Sequence, residues 1–211
     1  MPLILRYMHP NDVPQVVFLD QVSFPDPWPH RSYMFEINES RISYMVVLED
    51  MAVSVPVVAP RRSLIDWLLR RPLVATPTHT GNIVSYGGLW NITEECHIST
   101  IASQPQVRGR GYGEVALAAM VMKALALNSE YIILEVRVSN RVAQLLYEKY
   151  GFVTVNTQRK YYQDGEDAFL MRLELGEQQT KDRLRLLYDQ LKVRVPFEDR
   201  YSFEKHPRLQ T

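Results

Sequence analysis

The chain has 211 residues, 46% of them hydrophobic and 23% charged, and its 24 basic and 24 acidic side chains cancel to a formal net charge of zero. That length fits one domain, or one domain with additions, able to bury a substantial core, and the neutral balance argues against a general nucleic-acid binder. A single cysteine, Cys96, excludes an internal disulfide and suits a reducing compartment; no apolar run nears the roughly 20 residues of a membrane span, and Arg6, His9, Asn11 and Asp12 interrupt any secretory pattern, so a cytoplasmic protein is expected.

Leu3 to Met8 reads as a first strand. Asn11 or Asp12 can cap a helix running to about Val22. Three prolines in Phe24-Pro25-Asp26-Pro27-Trp28-Pro29 lack N–H groups and fix φ, so the helix cannot continue. A short helix is expected from about Arg31 to Glu39, then strands at Ile42 to Leu48 and Asn82 to Trp90, where Gly87-Gly88 permits a bulge or a close approach. Cys96 to Ser103 is another strand, Glu114 to Leu127 is helix-like, and Tyr131 to Val138 is strongly β. Asn140 to Lys149 is a helix ending at Gly151, and Phe152 to Val155 and Ala168 to Leu175 close the sheet. The order β-α-α-β-β-β-α-β-α-β-β predicts an α/β protein built on one mixed sheet.

Two segments stand outside that order. Residues 51–81 separate strands that a short turn would otherwise join, and Arg61 to Arg71, with arginine pairs flanking an apolar core around Trp67, reads as a helix that is a lid against its own domain or else faces a membrane or ribosomal RNA, the lid being expected. Residues 176–211 follow the last strand, with Leu184, Leu187, Tyr188 and Leu191 at helical spacing. A domain spanning 1–175, with 51–81 inserted in it, and a helical extension over 176–211 are therefore expected. The extension's helix is expected to cover the sheet or a dimer contact.

Arg108-Gly109-Arg110-Gly111-Tyr112-Gly113 lies between a strand and a helix. A glycine-rich turn there presents free backbone N–H groups at a helix N-terminus, which suits phosphate. GxxxxGK[ST] is absent, and Glu114 stands where a dinucleotide fingerprint needs its third glycine. What remains is R-x-x-G-x-G.

Leu134-Glu135-Val136-Arg137-Val138-Ser139-Asn140 makes a resemblance specific, and it continues through Ala143, Leu146 to Lys149, Gly151-Phe152, Arg159 to Tyr162 and Gly165 to Ala168. Together with Phe24-Pro25, Pro27-Trp28, Gly88-Leu89-Trp90 and Ile101-Ala102, this resembles the GNAT superfamily, in its RimI-type branch of ribosomal-protein-alanine N-acetyltransferases. The resemblance covers roughly 3–50 and 82–175. It implies splayed central strands with the pantetheine arm of acetyl-CoA lying between them. It also implies that Ile101, Ala102 and Ser103 bond that arm, that Arg108, Gly109, Arg110, Gly111, Tyr112 and Gly113 hold the pyrophosphate, and that Asn140 touches the cofactor. Glu135 would be the general base and Tyr147 the general acid; Phe24, Trp28, Tyr161 and Tyr162 would line the acceptor groove.

Read by themselves, these residues leave alternatives open. Glu135 shares a strand face with Ile133 and Arg137; a carboxylate there serves proton removal or an ion pair with Arg137 or Arg159. Tyr147 is an acid or a core aromatic. His97 and Ser99, expected on one face with Ile101 and Ser103, hold a relay water or are ordinary satisfied polar groups. No metal is expected, because no second ligand cluster accompanies Glu94, Glu95 and His97. Cys96 is expected to point away from the face of His97 and Ser103, so direct attack is expected without an acyl-enzyme. The expected acceptor is a protein N-terminal amine, such as alanine of a small-subunit ribosomal protein. The rivals are lysine or small-amine acetylation and a CoA-binding module without catalysis. No membrane or direct nucleic-acid partner is expected, and either a monomer or a homodimer fits.

Overall fold

The computed structural model describes residues 3–52 and 81–207. The elements are β1 (Leu3–Tyr7), α1 (Val13–Ser23), α2 (His30–Asn38), β2 (Ser43–Asp50), β3 (Asn82–Ile92), β4 (Glu95–Ser103), α3 (Tyr112–Ala126), β5 (Tyr131–Arg137), α4 (Arg141–Tyr150), β6 (Val153–Gln158), β7 (Ala168–Glu174), α5 (Gln178–Arg194) and β8 (Phe197–Arg200). The helical lid expected over Arg61 to Arg71 lies outside the described residues. No helix among the described residues is long and apolar enough to cross a membrane.

The strands form one mixed sheet in the order β6-β7-β5-β4-β3-β2-β1-β8. Its β4–β5 and β1–β8 pairs are parallel. Each face has its own core. Leu5, Val46, Leu48, Cys96, Ile98 and Leu134 join the residues of α3, α4 and α5 on one face. Val13, Val16, Leu19 and Tyr33 of the first two helices meet Met45, Val47, Ile83 and Tyr86 on the other. Buried residues run without a break from Val115 to Ala124, so α3 is enclosed all round. β2 is buried from Ser43 to Glu49 because both its faces are covered.

Asp12 precedes α1, but its side chain does not cap that helix. The carboxylate accepts from both Arg6 guanidinium nitrogens at 2.7 and 2.9 Å and from the His9 amide at 2.7 Å, while Arg6 also donates to Glu49 at 2.7 Å. Asp12 thus closes a capping box with His9 around the 3-10 turn Pro10–Asp12 that leads into α1, and pairs with Arg6 as well.

The β4–β5 pairing covers only Glu95 to His97 against Tyr131 to Ile133. Beyond it β4 stays with β3 to Ser103 and β5 stays with β7 to Arg137, so the two central strands part, as expected. On β4 the partners step from Ile98 to Thr100 while β3 advances one residue, leaving Ser99 as an extra residue. Such a bulge bends and twists the strand that carries it.

The bulge also corrects the expected alternation. Cys96 and Ile98 lie in the α3-side core, and beyond the bulge so does Ile101. Thr100 meets Tyr86, and Ala102 packs on the α1–α2 side. His97, in edge contact with Trp90, therefore does not share a face with Ile101 and Ser103, and Cys96 does not point away from Ser103's face. One inserted residue reverses the parity of all that follows it.

The extension folds back on the sheet. Leu184, Tyr188 and Leu191 of α5 enter the α3-side core, and β8 lies parallel to β1. Lys123 of α3, only 2% exposed, donates to the Glu204 carbonyl at 2.7 Å, and its ammonium sits 5.2 and 5.0 Å from the Tyr7 and Tyr201 ring centroids. Burial pushes the Lys123 pKa down to about 8, against the pull of Asp199 and Glu204. An unfolded lysine keeps its proton to about 10.4. Between pH 8 and about 9.5 this lysine thus holds its proton more often in the unfolded chain than in the folded one, and by itself it makes stability rise with pH by about 1–2 kcal/mol. Urea denaturation at about pH 7.5 and about pH 9.5 is expected to show wild type gaining about 1–2 kcal/mol relative to Lys123→Met over that interval, because the buried Cys96 and tyrosines act alike in both chains; a difference that stays constant with pH would contradict the assignment.

Candidate active site

Gln104 to Arg108 turns the chain out of β4 through one turn of 3-10 helix at Pro105–Val107. Gly109 and Gly111 then take φ of +79° and +85°, a left-handed backbone that β-carbons disfavour. Gly111 is the N-cap of α3 and no side chain caps that end. The first helical bond runs from the Val115 amide to the Gly111 carbonyl at 3.0 Å, which leaves the amides of Tyr112, Gly113 and Glu114 without helical acceptors. A β-carbon on Gly113 would come within 3.0 Å of the Ser103 hydroxyl, so glycine lets the helix approach the strand.

A cavity of about 530 Å³ opens beside this turn. Its lining includes Ile101, Ala102, Ser103, Arg108, Gly109, Gly111, Tyr112, Gly113 and Asn140, nine of the ten residues expected to hold a cofactor; Arg110 is not among them. Phe24 and Tyr147 line it too. Ile101 packs on the α3 side of the sheet and Ala102 on the α1–α2 side, so the cavity follows the gap between the parted strands. Asn140 also accepts from the Ala143 amide at 3.2 Å and thereby caps α4, which carries Tyr147.

On the opposite side of the gap, His97 Nε2 lies 2.7 Å from Glu135 Oε2, with the two side chains 19% and 13% exposed. The partner of Glu135 is thus His97, not Arg137 or Arg159. Arg137 bonds Asp164 at 2.8 Å and Glu166 at 2.7 Å and stacks 3.8 Å over the Tyr162 ring. Those contacts shape the β6–β7 loop, where Tyr161 and Tyr162 meet edge to face at 5.1 Å. Tyr147 is 5% exposed, and burial, followed by the proximity of Tyr162, raises its phenol pKa well above the ordinary value. Burial raises the Tyr162 pKa too, and Arg137 pulls it back while Tyr161 and Glu135 push it up.

Trp28 stacks on Trp90 at 6.1 Å, and Trp90 meets the His97 ring edge-on at 5.5 Å. The indole of Trp90 donates to Glu36 at 3.0 Å. Gln163 reaches from the Tyr161–Tyr162 loop to Asp26 at 2.5 Å, so the two loops expected to line an acceptor groove touch.

Residues 19–152 match the acetyltransferase (GNAT) family. The chain belongs to this family. As an acetyltransferase it is similar, at 28% identity over 82% of its length and 96% of the relative's, to a putative [ribosomal protein bS18]-alanine N-acetyltransferase of Bacillus subtilis. It is 33% identical to an N-alpha-acetyltransferase of Sulfurisphaera tokodaii over 79% of this chain and 90% of that one. The crystal structure of the ribosomal-protein-S18-alanine N-acetyltransferase from Escherichia coli shares the fold, with a TM-score of 0.62 at 20% identity over 83% of this chain and 95% of that one.

In this acetyltransferase the sequence missed Trp90, which joins Trp28 to His97, and Glu114, Val107, Val142 and Leu146 of the cavity wall. A tryptophan near the end of β3 was a signal for the first; the others come together only through the fold. The sequence also missed Asp20, 1% exposed at the end of α1. Its carboxylate accepts from the Trp28 amide at 2.6 Å and from the Tyr86 hydroxyl. Burial raises its pKa, and the Tyr86 and Trp28 bonds resist that rise. Asp20 thus fastens the proline-rich loop to β3. Asp20→Ala strands two buried donors and is expected to cost about 2–4 kcal/mol in urea denaturation, with a shifted tryptophan emission; a cost under about 0.5 kcal/mol would show that the loop is held by other contacts.

Proposed function

We propose that the protein transfers acetyl from acetyl-CoA to the α-amine of a protein N-terminus, by direct attack in a ternary complex. One observation carries the reading: β4 and β5 part beside the cavity at the phosphate-type turn, and the Glu135–His97 pair spans the same two strands. The fit to acetyl-CoA rests on the left-handed glycine turn, the three amides free of helical acceptors, and the edge of β4 that β5 leaves unpaired. Arg108 to Gly113 would take the pyrophosphate, Ile101 to Ser103 the pantetheine amides, and Asn140 the cofactor near the gap. Acetyl-CoA supplies the activated acyl group; the steps below belong to the chain's own residues.

Glu135, with its oxygen on His97, takes the proton of the attacking amine directly or through a water. An α-amine near pKa 7.7–8.0 is about a quarter neutral at pH 7.4, whereas a lysine near 10.4 is neutral in about one part per thousand. A carboxylate is an adequate base for the first and a poor one for the second, which supports an N-terminal acceptor. A backbone N–H of β4 meets the charge gathering on the acyl oxygen. As the N–C bond forms and the C–S bond breaks, CoA leaves as the thiolate; Tyr147, whose raised pKa keeps the phenol protonated, donates a hydrogen bond to that sulfur without ionising. Cys96 takes no part, because burial pushes its thiol up to about 11, in spite of a 3.0 Å contact with Ser129.

Phe24, Trp28, Tyr161 and Tyr162 would hold the acceptor. The names of the Bacillus and Sulfurisphaera relatives support an N-terminal amine, and the former supports alanine of ribosomal protein bS18; a cytoplasmic setting is proposed with it. Residues 1–175 are read as the catalytic domain, with 51–81 inserted in it and 176–211 as an extension docked on it.

A thiol-release assay over N-terminal peptides, lysine peptides and polyamines tests the proposal. Acetyl-CoA turnover is expected only with free α-amines, and Glu135→Gln is expected to lower kcat by about 10²–10⁴-fold. Turnover on small amines alone would overturn the acceptor, and full turnover in Glu135→Gln at saturating acetyl-CoA would remove Glu135 as base.

A further inference from the structure

Glu114 directly follows the last glycine of the R-x-x-G-x-G turn, and it lines the cavity. A carboxylate in the first turn of a helix complements the helix dipole. Beside a bound diphosphate it is a like charge in the wrong place. The structure surrounds it with cations: Glu114 Oε1 accepts from Lys149 Nζ at 2.5 Å and from the Tyr150 hydroxyl at 3.2 Å, and Oε2 accepts from Arg194 Nη2 at 2.5 Å. The carboxylate is 11% exposed, while Lys149 and Arg194 are 39% and 54% exposed.

Arg194 is the last residue of α5, in the extension beyond the matched family region. The same stretch touches the turn itself: a β-carbon on Gly111 would lie 3.0 Å from Val195 Cγ2. One acid and two bases give the cluster a net charge of +1; without Arg194 it is zero. We propose that the C-terminal extension sets the affinity for acetyl-CoA, with Arg194 as a positioning residue that screens Glu114 at the phosphate turn. The inference rests on the acetyl-CoA reading above and adds a control on it that comes from outside the family's matched region. Lys149 supplies part of the screening from within that region; Arg194 supplies the excess positive charge that a ligand carrying several phosphates meets.

Isothermal titration of acetyl-CoA into the full chain decides it, with wild type, Arg194→Gln, Glu114→Gln and the double variant compared. Arg194→Gln is expected to weaken binding about three- to tenfold at low salt, with the difference shrinking near 0.5 M salt. Glu114→Gln is expected to tighten binding, and added to Arg194→Gln it is expected to bring affinity back to within about twofold of wild type. If Arg194 only braced the turn, Glu114→Gln would break the same contact and weaken binding as much as Arg194→Gln does. That result, or an Arg194→Gln variant with wild-type affinity, overturns the inference. A wild-type chain that does not bind acetyl-CoA overturns the cofactor reading instead, and this inference with it.

Discussion

β4 and β5 are hydrogen-bonded over three residues and then go separate ways. Backbone groups that a sheet would satisfy are left to find another partner, and buried backbone polar groups seldom stay unpaired. Nearly everything at the candidate site depends on that parting. It opens the cavity beside the glycine turn, and it connects two faces of the sheet that are otherwise sealed by separate cores. Ser99 sits where the strand must bend, as an extra residue opposite β3. Its insertion does two things: it twists β4, and it sends His97 toward one face and Ile101 and Ser103 toward the other.

The two faces are chemically unlike. The cavity side carries the left-handed glycines, helix amides without acceptors and a buried phenol. The other side carries a carboxylate held by an imidazole, a row of aromatic rings, and a loop ordered by Arg137 through Asp164 and Glu166. Glu166 is held down to about 2 first by its hydrogen bonds with Ser139 and then by Arg137. A donor held on one side and an acceptor amine on the other would meet at the gap, which is the arrangement the proposed ternary complex needs. The buried Asp20 beneath the proline-rich loop gives the aromatic wall a fixed support.

Local signals were legible in the sequence, and contacts between distant segments were not. The apolar run of α3, the alternation of β5 and the glycine turn each depend on neighbours within a few residues, and each took the expected form. The His97–Glu135 and Glu114–Arg194 pairs join residues 38 and 80 positions apart, and no periodicity signals them. Parity along β4 failed because a bulge is one residue in a strand that otherwise alternates. β8 was missed because Phe197-Glu-Asp-Arg holds one apolar residue; it becomes a strand by covering the open edge of β1. Asp12, with Asn11 one of two expected caps, does not cap α1 itself; it caps the 3-10 turn just before it through the His9 amide, and its second role, with Arg6 of β1, is a contact that the capping signal does not show.

If acetyl-CoA lies in the gap, the unpaired edge of β4 and the amides of the glycine turn must become its hydrogen-bond donors. Hydrogen exchange followed by mass spectrometry, with and without acetyl-CoA, reads this directly. Exchange is expected to slow in residues 101–103 and 109–114 on binding, with little change in β6 at the far edge of the sheet. Binding that leaves both segments exchanging as before, or that protects β6 instead, would contradict the account.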